Sequence, residues 1–147
     1  MLPKFHLIIS FLASFIMLIF GINYLFCLLF FLSAFLIDFD HYLYYIIKKR
    51  DLSLINAYKY CKYILKKELE KTNQKQILMI FHTAEFFIIL LILSLFLDFF
   101  LPIFLGCLFH EFTDLVYETT QKDKKYKRAF SLIYYALKDN QDKISKK

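Results

Sequence analysis

The four histidines of this 147-residue chain, His6, His41, His82 and His110, each fall in or at the end of a different apolar segment. Three have carboxylates at helical spacing. Asp38 is three residues before His41 and Asp40 adjoins it; Glu85 is three after His82; Asp114 is four after His110. Residues three or four apart share a helix face, so each helix can present two ligand groups to a common centre. Asp38 and Asp40 differ by about 200° on an ideal helix, and both can face that centre only if the helix ends there. Carboxylates in apolar spans cost several kcal/mol unless paired or solvated, and by default they mark functional sites. No Lys or Arg lies nearby in sequence to neutralise them, whereas a divalent cation would, and mixed His and carboxylate ligands suit zinc, manganese or iron. The expected ligands are Asp40, His41, His82, His110 and Asp114, with His6 and Asp38 as further ligands or as outer partners. They would hold one or two ions, zinc foremost. A bound metal lowers the pKa of its water from 15.7 towards about 7, which is hydrolytic chemistry. Glu85 is the expected general base, since a partly desolvated carboxylate titrates closer to neutrality. Glu111 and Glu118 read instead as acids reaching for the membrane interface.

The elements that must position these groups are transmembrane helices. Residues 5 to 37 contain no Lys, Arg, Asp or Glu, and residues 76 to 97 contain only Glu85. A spanning helix needs roughly 17 to 25 residues, so Gly21 and Asn23 divide the first block, and Asp98 and Pro102 likewise divide the second, whose uncharged run resumes from Phe99 to Phe109. The pattern predicts spans at about 5–20, 24–41, 77–97 and 101–118. With 59% hydrophobic residues and a mean hydropathy of +0.49, the chain reads as a single integral membrane domain over 1–147. The expected fold is all-α, a four-helix transmembrane bundle with amphipathic cytoplasmic helices. A cleavable signal peptide at the N terminus is the competing reading, disfavoured because hydrophobicity continues past residue 20. The three cysteines have no paired spacing and read as packing residues.

All 19 Lys and Arg lie in three places: Lys4, nine between Lys48 and Lys75, and nine between Lys122 and Lys147. Four spans put those segments on one side, which the positive-inside rule makes cytoplasmic, so both termini are expected in the cytoplasm. Alternating helix direction then brings all four histidines into one cytoplasmic layer. Steps of three and four between Leu54, Tyr58, Cys61, Leu65 and Leu69 predict an amphipathic helix over about 51–72. Tyr126, Phe130, Ile133 and Leu137 predict another over about 124–138. Their lysines suit membrane lipids with anionic headgroups. No motif accompanies the charge to suggest nucleic acid.

In the order of these motifs the chain resembles the membrane-bound metal-dependent hydrolases of bacteria and archaea, which are distantly similar to zinc-dependent phospholipase C. His6 matches the family's early His, Asp38-Phe39-Asp40-His41 its Asp-x-Asp-His, His82 with Glu85 its third motif, and His110 with Asp114 its His-x-x-x-Asp. In the third motif many members carry His-Arg followed by Thr-His-Ser, where this chain has His82-Thr83-Ala84-Glu85. The resemblance implies metal-dependent hydrolysis of an ester or phosphoester of a lipid or lipid-linked molecule at the cytoplasmic leaflet. The alternative is a non-catalytic intramembrane metal-binding protein, or a metal or proton transporter, built on the same ligands. A haem protein with His82 and His110 as axial ligands is a third reading, made unattractive by the adjacent acids. A Ser-His-Asp hydrolase lacks its Gly-x-Ser-x-Gly turn.

Overall fold

A computed structural model describes residues 3–69, 79–120 and 131–137. The described residues are predominantly helical, without strands. Helix α1 runs Pro3–Ile19, α2 Tyr24–Leu36, α3 Phe39–Lys49, α4 Leu54–Leu69, α5 Ala84–Phe96 and α6 Phe100–Thr120. A 3-10 turn, Ile80–His82, precedes α5, and residues 132–137 form a short helical stretch. The remaining parts of the expected amphipathic segments, 70–72, 124–130 and residue 138, lie outside the described residues.

Local chemistry sets the boundaries. Gly21 takes a left-handed φ of +82°, open to glycine without steric cost, and its N–H and that of Ile22 donate to Leu18 O and Met17 O to close α1. Asn23 then caps α2, accepting from the Leu25 N–H at 2.8 Å. Pro102 sits in the first turn of α6, where its missing N–H would have had no helical partner.

α2 packs against both α1 and α6, and α6 also against α1 and α5. Two small residues permit the close approaches. Ser14 Oγ donates across to Cys27 O at 2.7 Å, and Gly106 lies directly on the backbone of α2. Ile37, Leu90 and Cys107 form the apolar core, flanked by Phe81, Phe86, Phe87, Phe100, Ile103 and Phe104. All three cysteines are free.

Polar and ionisable groups share the interior with apolar ones, while many large apolar side chains are exposed. His6, Ser10, Asp40, His82, Thr83, His110 and Asp114 are buried, while Phe11, Ile16, Phe20, Ile88, Leu95 and Phe96 are exposed. Buried polar groups and exposed apolar side chains suit a hydrocarbon solvent. Two helical stretches, Tyr24–Lys49 and Phe100–Thr120, are long and apolar enough to cross a membrane; Pro3–Ile19 and Ala84–Phe96 are shorter.

The structure departs from the predicted spans in two places. The second span does not stop at residue 41: it is interrupted after Leu36, restarts at Phe39 and continues to Lys49. Among the described residues of the third, α-helix begins at Ala84, because Thr83 is in extended conformation and caps α5, its hydroxyl accepting from the Phe86 N–H at 3.4 Å; residues 77–78 lie outside the described residues. His82 therefore precedes the helix.

Below the site, α3 turns into α4 through Asp51. Its carboxylate accepts from the Tyr45 hydroxyl, from Asn56 Nδ2 at 2.9 Å and from the Ser53 N–H at 2.9 Å. Those donors, Tyr45 foremost, hold the Asp51 carboxyl below the ordinary carboxylate range. α4 packs along α3 and turns Ala57 inward. Leu54, Ile55, Lys59, Lys62 and Tyr63 face outward. Burial, with Asp38 and Asp40 nearby, pushes the Cys61 thiol up to about 11, so it stays protonated at neutral pH.

Candidate metal centre

Four elements meet around His82 and His110. The interruption between α2 and α3 is what lets Asp38 and Asp40 act together. In a continuous helix they would diverge, but Asp38 lies in the break, with its carbonyl accepting from the His41 N–H at 3.1 Å, and Asp40 opens α3. Both are turned inward, Asp40 with 5% of its side chain accessible and Asp38 with 12%.

Asp40 binds the 3-10 turn. Its Oδ2 accepts from the Phe81 N–H at 3.2 Å and from His82 Nδ1 at 2.9 Å. His110, at 1% exposure, donates from Nδ1 to the Ala34 carbonyl at 2.8 Å. A carbonyl oxygen only accepts, so the ring proton is on Nδ1 and Nε2 is the atom left to bind a cation. The same holds for His82 against the Asp40 carboxylate. An imidazole that donates through one nitrogen to a carbonyl or carboxylate, with the other aimed at a shared point, is the usual arrangement at protein metal sites.

The two Nε2 atoms share a point with Asp38. Asp38 Oδ1 lies 3.5 Å from His110 Nε2, 3.7 Å from His82 Nε2 and 3.4 Å from His41 Nε2. Ligands held tetrahedrally at about 2.0–2.1 Å from an ion stand about 3.3–3.4 Å apart, whereas hydrogen-bonded nitrogen and oxygen approach to about 2.9 Å. The observed gaps fit coordination better than direct hydrogen bonding. His82 Nε2, His110 Nε2 and Asp40 Oδ1 are buried without a hydrogen-bond partner, a costly state that a cation relieves. Asp38, His82 and His110 thus form a compact ligand trio.

Two overlapping trios flank it, one of His6, His110 and Asp114 and one of Asp40, His41 and His82. His6 is a brace in this arrangement. Its Nε2 meets Asp114 Oδ1 at 3.1 Å, its Nδ1 meets Thr113 Oγ1 at 3.2 Å, and its ring stacks on His110 with centroids 3.9 Å apart. Asp114 Oδ2 lies 4.0 Å from His110 Nε2. His41 is the outermost imidazole, with 34% of its side chain exposed. Asp40 is placed to orient His82, so Asp40→Ala should weaken zinc binding about 10- to 100-fold yet still load under excess metal. Competition with a chromogenic chelator measures this, and outright loss of the ion would make Asp40 a direct ligand.

Glu85 does not join this group. Because α5 begins at Ala84, His82 and Glu85 do not share a helix face, and the Glu85 carboxylate turns to the C-terminal segment. There it accepts from Ser131 Oγ at 2.6 Å and from the N–H groups of Leu132 at 3.0 Å and Ile133 at 3.3 Å. A carboxylate so engaged is a structural anchor for residues 131–137, not a base beside the histidines. Glu111, read from sequence as an interface acid, is brought in instead, with Oε1 3.5 Å from His82 Nε2. The signal for it was its place beside His110 on the helix that also carries Asp114.

No protein-family model, no curated protein and no solved structure matches this chain.

Proposed function

We propose that this is a multi-pass membrane hydrolase, with four apolar helical segments and both termini in the cytoplasm, that uses a divalent ion to cleave an ester or phosphoester of a lipid or lipid-linked molecule at the cytoplasmic leaflet. The observation that carries this reading is the convergence of His82 Nε2, His110 Nε2 and Asp38 Oδ1 at 3.5–3.7 Å, with both nitrogens buried and lacking hydrogen-bond partners. The motif order shared with membrane-bound metal-dependent hydrolases supports the same reaction class, and the outward apolar side chains support the bilayer setting.

Asp38, His82 and His110 would hold the ion, and Asp40, Ala34 O and His6 would orient the groups that hold it or stand beside them. Bound there, a divalent ion supplies Lewis acidity and a water that ionises near neutral pH. The chain does the rest. Fixed Nδ1 protons keep both imidazoles in the binding tautomer, and Asp38 and Asp114 contribute negative charge that favours a cation. The outward lysines and apolar side chains of α4 suit contact with anionic headgroups.

Purified protein, stripped with a chelator and reloaded with zinc in phosphatidylglycerol and phosphatidylethanolamine vesicles, should release a hydrolysis product from lipid only in the reloaded state. Reloading without any product from these or from lipid-linked phosphates would leave the non-catalytic alternative, a metal-binding or transport protein, in its place.

A further inference from the structure

The carboxylates around the centre differ in their accessibility. Asp38 is within the ligand trio, Asp40 holds His82 and the Phe81 N–H, and Asp114 pairs with His6. Glu85 anchors the tail. Glu111 is placed differently. It stands beside the trio at His82, with Oε1 buried 3.5 Å from Nε2, yet 30% of its side chain is accessible, against 12% for Asp38 and 5% for Asp40 and Asp114. One carboxylate oxygen is therefore buried beside the ligand cluster while part of the same side chain stays accessible. A general base needs hydrogen-bond reach to the attacking water without being consumed as a ligand. A glutamate on the rigid helix that carries His110 meets that need.

Resting on the hydrolase reading above, we propose that Glu111 is the general base of the centre. In the reaction its carboxylate takes one proton from water as the water oxygen bonds to the phosphorus or acyl carbon. The bond to the leaving oxygen breaks, and the proton passes from Glu111 to that oxygen, so that acid and alcohol products balance ester plus water. Before reaction the same carboxylate repels anions from the centre, which favours water there over free phosphate.

The test uses the full-length, zinc-loaded protein in detergent and compares wild type with Glu111→Gln and Glu85→Gln. Three quantities are read: zinc per chain, binding of inorganic phosphate by calorimetry, and hydrolysis of bis(4-nitrophenyl) phosphate. Glu111→Gln should keep its zinc, bind phosphate about tenfold or more tighter through loss of a nearby negative charge, and hydrolyse about 100-fold or more slowly. Glu85→Gln should match wild type in all three. Loss of zinc from Glu111→Gln would make Glu111 a ligand, and unchanged phosphate binding would make it an interface acid; either result overturns the proposal while leaving the metal centre standing. A wild type that holds no zinc would instead bring down the hydrolase reading itself.

Discussion

Detergent-purified wild type is expected to carry about one tightly held divalent ion per chain, and His110→Ala to carry almost none, because a site of three protein ligands loses its hold when one is removed. Elemental analysis reads the result directly. His110 is also a packing residue, stacked on His6 and fully enclosed, so alanine leaves a cavity and strips the Ala34 carbonyl of its donor. His110→Asn separates the two effects. Its amide can still donate to Ala34 O from the position of Nδ1, but nothing replaces Nε2. If the centre binds metal as argued, both variants lose the ion, and added zinc raises the Tm of the wild type alone. Saturation at 1,000 times Kd stabilises a fold by about 4 kcal/mol, so the difference in melting should be plain. Equal metal content in wild type and His110→Asn would mean that the buried imidazoles serve only to tie helices together.

The second large effect belongs to Gly106, which touches no ligand group. A Cβ built on it would lie 2.1 Å from Ser33 Oγ, 2.4 Å from Phe30 O and 3.1 Å from Ala34 N. The serine hydroxyl can swing aside, but the Phe30 carbonyl is helix backbone and cannot move unless α2 and α6 separate. Glycine to alanine inside a helix ordinarily gains about 0.5–1 kcal/mol. Here overpacking should reverse the sign and cost about 1–3 kcal/mol. The displacement also reaches the centre, since His110 lies one turn along α6 from Gly106 and bonds to Ala34 O on the facing helix. Gly106→Ala should therefore lower both the Tm and zinc affinity, the latter about tenfold or more through the misplaced imidazole. Gly21→Ala is the matched control. It has nothing within 4 Å of its Cβ and only a left-handed φ to oppose substitution, so it should cost stability and leave zinc affinity alone. A Gly106→Ala protein with wild-type melting and zinc binding would show that α2 and α6 do not need this close approach.

The residues able to do chemistry were legible from composition alone, because an imidazole or carboxylate within a run of Phe, Leu and Ile is out of place for a physical reason that needs no coordinates. The same runs carried the positions of the apolar helices, with Gly21, Asn23 and Pro102 marking the turns. Local spacing even stated the condition on which Asp38 and Asp40 could cooperate, a helix that ends there, and the break between Leu36 and Phe39 meets it.

What the spacing could not carry was side-chain direction across long sequence separations. Asp40 and His82 are 42 residues apart, His110 and Ala34 76, His6 and Asp114 108, and no periodicity encodes those pairings. The third motif shows why this matters. Thr83 caps α5 and leaves His82 in a preceding 3-10 turn, so the rule that residues three apart share a helix face does not apply to His82 and Glu85. Glu85 is turned from the histidines by that one capping interaction together with donors at Ser131, Leu132 and Ile133. The sequence by itself determined that acids and imidazoles would be carried into apolar surroundings, since hydrophobic runs bury whatever interrupts them. Only the tertiary structure decided which carboxylates face the histidines, because that depends on where each helix begins and on which donors, distant in the chain, lie within reach of each acid.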